Sequence, residues 1–146
     1  MQFNDDKVIE VLQRLPSEEP CVDYKIVPYT KNQNHDFLKD VIAMLNSEAG
    51  VGKDKFIIIG VENQTRKRIG IQRKLWRDDN EWQNLLDKII PRPDVSTGCV
   101  EYEGNWFGYI LISGTNNEWV YEAAESVISS KDDKVTEKNI IAKGQA

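Results

Sequence analysis

The chain predicts an α/β (α+β) domain: a mixed β-sheet of about five to six strands covered by about three to four helices. Three observations carry this. Apolar residues recur at helical spacing in the stretches 4–15, 34–49 and 79–90. Short β-branched or alternating runs lie between and after them. The resulting order, α-β-α-β-β-α-β-β, interleaves strands with helices, so the sheet takes helical cover. With 146 residues, 40% apolar and 29% charged, the chain is of a size and composition to fold as one domain over 1–146.

Asn4 or Asp5 caps the first helix. Val8, Val11, Leu12 and Leu15 form its stripe, and Pro16 ends it. A strand follows over 22–27. Its side chains alternate, so Val22, Tyr24 and Ile26 share one face and Asp23, Lys25 and Val27 the other. A polar loop at 29–34 leads to a second helix that Asn34 caps, reaching about residue 49 with Phe37, Leu38, Val41, Ile42 and Leu45 inward. Residues 50–55 turn. The run FIIIGV, 56–61, is continuously apolar and reads as a central strand buried on both faces. A turn at 62–65 and a short strand at 68–71 come next. Asp79 to Ile90 make the third helix, with Trp82, Leu85, Leu86 and Ile89 on one face and Pro91 and Pro93 behind it. Strands over 97–102 and 106–112 join at Glu103-Gly104-Asn105, a hairpin turn. Beyond that, Trp119 to Tyr121 reads as a short strand, 131–134 as a charged turn, and 135–141 as a helical turn or irregular segment.

Several chemistries are disfavoured. No run approaches the length of a membrane span, and the N-terminus lacks a signal-peptide layout. The expectation is a cytoplasmic protein without membrane contact. Cys21 and Cys99 stand far apart and read as reduced, near-core thiols. His35 is the sole histidine, which leaves a His-based triad or zinc site without partners. Gly50-Val51-Gly52-Lys53 follows a helix and precedes a strand, the reverse of a phosphate loop. The tryptophans at 76, 82, 106 and 119 read as core anchors.

Two features point to nucleic-acid chemistry. Glu18, Asp23 and Glu62 can converge if the first and central strands are neighbours. Such oxygen ligands suit Mg or Mn, which activates water and stabilises charge on a phosphate. Lys25, on the same strand face as Asp23, would add positive charge there. The second feature is residues 66–77, RKRIGIQRKLWR, which hold Arg66, Lys67, Arg68, Arg73, Lys74 and Arg77 and no acid. In a chain of net charge −5 this is a local reversal able to track a phosphate backbone, with Trp76 stacking on a base or packing inward. The bland readings are a solvated strand pair for Asp23 and Lys25 and a hairpin edge protected by charge for the basic segment.

The run HDFLKDVIAMLNSEAGVGKDKFIIIGVENQTRKRIGI, from His35 to Ile71, resembles the core of the Schlafen AlbA-like family. The likeness rests on Asp23-Tyr24-Lys25, on Ala43-Met44-Leu45-Asn46 closing a helix, on Ile58-Ile59-Gly60-Val61-Glu62, and on Gly70-Ile71, and it covers about residues 18–71. It implies a domain that handles RNA or DNA. In nuclease-active members three carboxylates cut RNA, notably tRNA, with a divalent metal, and Glu18, Asp23 and Glu62 fall on those places. Asp23 stands where Glu is usual and Glu62 where Asp is usual, a reciprocal swap in side-chain length to which catalytic geometry is sensitive. The end, Ala142 to Ala146, resembles the approach to the family's last strand, so the resemblance implies an N-terminal domain truncated before that strand. Other relatives use the domain as a non-catalytic sensor or oligomerisation module in defence or transcription-regulatory proteins, which makes a homo-oligomer the alternative expectation.

Overall fold

The computed structural model describes residues 3–16, 21–116 and 120–124. Glu18, Trp119 and everything expected of residues 125–146, the charged turn, the irregular segment and the approach to a last strand, lie outside the described residues.

The helices are α1 (Phe3–Arg14), α2 (Asn34–Asn46) and α3 (Asp79–Leu86). The strands are β1 (Val22–Lys25), β2 (Lys55–Ile59), β3 (Ile89–Ile90), β4 (Val95–Tyr102), β5 (Asn105–Ile112) and β6 (Glu122–Ala123). Four of them form a mixed sheet in the order β1-β2-β5-β4, and β3 pairs with β6 in a sheet of two. β1 and β2 run parallel, which the α2 crossover between them permits. β2–β5 and β5–β4 are antiparallel. This is the mixed α+β architecture expected.

The sheet separates two cores. On one face Ile57, Ile59, Ile110 and Ile112 meet α2 and α3 through Phe37, Val41, Trp82 and Leu86. On the other Phe56, Ile58, Phe107 and Tyr109 meet α1 through Val8, Val11 and Leu12. A strand covered on both faces has no polar face to show, which is why β2 reads as an unbroken apolar run. Lys55 opens that strand and is itself buried. Its Nζ donates to the carbonyls of Met44 (2.7 Å) and Ser47 (2.9 Å), serving groups that the end of α2 leaves open.

Several boundaries differ from expectation. α2 stops at Asn46 because Ser47 turns extended. α3 stops at Leu86, and Ile89–Ile90 become strand β3 instead of a last helical turn. Ile90 precedes Pro91, and the residue before proline is pushed out of the helical region. The central strand ends at Ile59, since Gly60 takes a φ of +113° that L side chains avoid. The strand expected at 68–71 is reduced to two isolated bridges, Val61 with Arg68 and Ile71 with Trp106. The strand expected at 22–27 ends at Lys25, leaving Ile26 and Val27 44% and 61% exposed. The late strand falls on Glu122–Ala123, just after Tyr121. Trp76 and Trp82 are buried as expected of core anchors, while Trp106 is half-buried.

Candidate functional site

Alternation along β1 sends Tyr24 into the α1-side core and turns Asp23 and Lys25 toward α2. The Lys25 ammonium lies 4.0 Å from Asp23 and 3.3 Å from Asp40 of α2. The Tyr29 hydroxyl donates to the same Asp40 oxygen at 2.6 Å. Lys25 also sits 5.6 Å from the centre of the Tyr29 ring, within cation–π range. These groups border an open cleft of about 400 Å³ that Gln33, Asp36 and Lys39 help to line. Partial burial pushes the Asp23 carboxyl above its ordinary value. Lys25 opposes that shift and the Asp40 charge adds to it. Burial and then the Asp40 carboxylate raise the Tyr29 phenol, so it stays a donor. The expected Asp23–Lys25 pair is therefore real, but its nearer acid, Asp40, was not read from the sequence. Its signal was faint: an acid flanking the apolar stripe of α2, four residues after Asp36.

Glu62 leaves the same end of the sheet. The N–H groups of Gly60 (2.7 Å) and Val61 (3.2 Å) both donate to the Lys25 carbonyl, tying the ends of β1 and β2 together. The Glu62 carboxylate bends back on its own turn. Its Oε1 accepts from the N–H groups of Gln64 and Thr65, both at 2.7 Å, and from the Thr65 hydroxyl at 3.1 Å. The Thr65 N–H and these other donors hold its carboxyl below the ordinary value. Asp23 and Glu62 thus each have protein partners. Among the described residues no group of three or more His, Cys, Asp or Glu is placed to hold a metal ion. The described residues do not by themselves fit a Mg or Mn site, and the expected trio needs Glu18, which lies outside them.

The basic segment crosses this end of the sheet from one face to the other. On the α1 side the Arg66 guanidinium lies 4.9 Å from the Tyr24 ring centre, and Arg68 donates to the Leu12 carbonyl at 2.9 Å and meets Glu103 at 3.4 Å. In the middle Ile71 bridges to Trp106, and Arg73 lies 5.6 Å from the Trp106 ring centre. On the α2 side Arg77 donates to the carbonyls of Tyr29 (3.3 Å) and Thr30 (2.6 Å) and stacks over Trp82 at 4.7 Å. Trp76 packs inward, 4.9 Å from Trp82 and directly over Gly108, and is not free to stack on a base. Arg66, Arg68 and Arg77 are half-buried fasteners, whereas Lys67, Arg73 and Lys74 are exposed.

The family model described as Schlafen, AlbA_2 matches residues 18–139. The chain belongs to that family. Among solved structures it is similar to the DIP2311 protein from Corynebacterium diphtheriae, at 17% identity and a TM-score of 0.54. That likeness, which shows the fold alone, covers 81% of this chain and 23% of that one. No curated protein matches. No helix among the described residues of this Schlafen AlbA_2 chain is long and apolar enough to cross a membrane.

Proposed function

We propose that this domain binds nucleic acid through its phosphate backbone, at the end of the sheet where β1 and β2 finish. One observation carries the reading: the 66–77 segment spans that end and is fastened to both faces, so the exposed Lys67, Arg73 and Lys74 are presented there from an anchored backbone. Ligands of α/β sheets gather at the carboxyl ends of strands. Cations on an anchored backbone lose less freedom on meeting phosphates. The family membership supports the same direction. With a net charge of −5, attraction is confined to this patch. As the reading member of a larger defence or regulatory protein, the domain would contact RNA or DNA without base-specific chemistry of its own.

The test is fluorescence anisotropy with labelled tRNA and labelled single-stranded DNA across a salt series. Replacing Lys67, Arg73 and Lys74 together with Gln flattens the slope of log affinity against log salt by about 0.7–0.9 per lost phosphate contact. An unchanged slope in the triple variant, or no binding by the wild type at low salt, rejects the reading.

A second reading is metal-dependent strand cleavage by Glu18, Asp23 and Glu62, with Lys25 near the scissile phosphate. Its support is that Asp23 lies on β1 two residues before Lys25, whose carbonyl is tied to Gly60 and Val61 just ahead of Glu62 on the neighbouring parallel strand. Cutting of tRNA with Mn²⁺ or Mg²⁺ that Asp23→Asn and Glu62→Gln each abolish would establish it. Intact substrate with the wild type would remove it.

A further inference from the structure

Within that nucleic-acid reading, we propose that Asp40 is a positioning residue that withholds Lys25 from phosphate until the nucleic acid displaces it. The two groups that hold the Lys25 ammonium are not equivalent. Asp40 is the nearer, at 3.3 Å against 4.0 Å for Asp23. The Asp40 oxygen that faces Lys25 is also the one that accepts the Tyr29 hydroxyl at 2.6 Å. Tyr29 in turn is wedged edge-on against Phe37, with ring centres 5.4 Å apart, and against Trp82 at 6.4 Å. Asp40 is therefore fixed from behind by a buried phenol, while Lys25 rides on a flexible four-carbon stem.

The cleft is also electrostatically unready for phosphate. Asp36 and Asp40 line it and Asp23 stands beside it, against Lys25 and Lys39: three acids to two lysines. Lys25 as held spends its charge on protein carboxylates. An incoming phosphate can offer it a charge-assisted bond of the same kind. The lysine then swings outward to the phosphate, and Asp40 stays behind with Tyr29. No covalent bond changes; one ion pair is exchanged for another.

The variant that tests this is Asp40→Asn, whose side-chain carbonyl still accepts the Tyr29 hydroxyl and so preserves the packing behind it. Two measurements are made on the full chain. The first is the acetylation rate of each lysine by an amine-reactive ester, read by mass spectrometry. Lys25 should react several-fold faster in Asp40→Asn, with exposed Lys53 as the unchanged internal standard and Asp36→Asn leaving Lys25 as it is in the wild type. The second is anisotropy with single-stranded DNA and tRNA. Asp40→Asn should bind about threefold or more tightly at low salt, with the salt slope of the wild type, because Lys25 meets phosphate in both bound states. The gain in affinity should vanish in Lys25→Gln/Asp40→Asn.

Unchanged Lys25 reactivity overturns the hold, whatever happens to binding. Faster reactivity with unchanged affinity overturns the withheld phosphate contact while leaving the basic segment of Lys67, Arg73 and Lys74 standing. No binding by the wild type or by Asp40→Asn overturns the nucleic-acid reading and this role with it, and the reactivity data still report whether Asp40 holds the lysine.

Discussion

Replacing Gly108 with Ala puts one methyl group where the Trp76 ring already lies. A Cβ built at Gly108 meets three atoms of that indole, so the ring must move. The least costly response is a shift of Trp76 against Trp82, an overpacking strain of about 1–3 kcal/mol. Complete expulsion of the indole forfeits about 150–250 Å² of buried surface, about 4–6 kcal/mol at 25 cal/mol per Å², which sets the ceiling. Trp76 is 6% exposed and packed at 4.9 Å on Trp82, so the expected loss is about 2–3 kcal/mol. Urea denaturation measures it. The decisive assay is a double-mutant cycle with Trp76→Ala, in which Gly108→Ala should become nearly neutral. A cost below about 0.5 kcal/mol in the wild type, or one that persists unchanged in Trp76→Ala, refutes the reasoning.

Tyr109→Phe removes the hydroxyl that donates to Asp5 at 2.7 Å, and should cost about 1–2 kcal/mol by urea midpoint, with no change in nucleic-acid affinity. Asp23 has its carboxyl raised above the ordinary 3.8, so its contribution to stability is complete below that value and is lost as pH rises through the folded value. The stability of wild type minus that of Asp23→Asn should therefore fall across the acid range just above pH 3.8, and a rising difference would sink the assignment. Glu62 behaves oppositely: its carboxyl is lowered, so its contribution is present above the ordinary 4.5 and is lost as pH drops through the folded value. Amide protection factors at Gln64 and Thr65 should fall on that acid limb, and Glu62→Ala should show the low values already at neutral pH.

Much of the architecture was readable because it depends on periodicity. The stripe Phe37, Leu38, Val41, Ile42 and Leu45 makes α2, and all five are buried. The run from Phe56 to Ile59 makes a strand covered on both faces. What was missed depends on where the chain is at that moment in space. Ile89 satisfies a helical stripe and a strand equally well, and only its pairing with Ala123 decides between them. Gly60 reads as a strand residue until its +113° φ and its approach to Gly70 show that the backbone leaves the sheet there. At the candidate site, the Asp23–Lys25 pair followed from alternation alone. Asp40 and Tyr29 did not, because α2 and β1 meet across the sheet face and no local spacing encodes that meeting. The basic segment was visible as composition, but composition could not sort it into Arg66, Arg68 and Arg77, which fasten, and Lys67, Arg73 and Lys74, which are presented.

The place of α1 has a practical consequence for how such domains are delimited. The family match begins at residue 18, after this helix has ended. Yet Val8, Val11 and Leu12 are the cover for Phe56, Phe107 and Tyr109, and Lys7 meets Asp54, just ahead of β2, at 2.6 Å. A fragment begun where the match begins would bare an aromatic sheet face to water, and chains lacking the helix would be drawn to one another by it. Expressed alone, residues 18–139 should precipitate, and a synthetic peptide of residues 1–17 added during refolding should return them to solution. The family match and the packed core of this protein start at different residues.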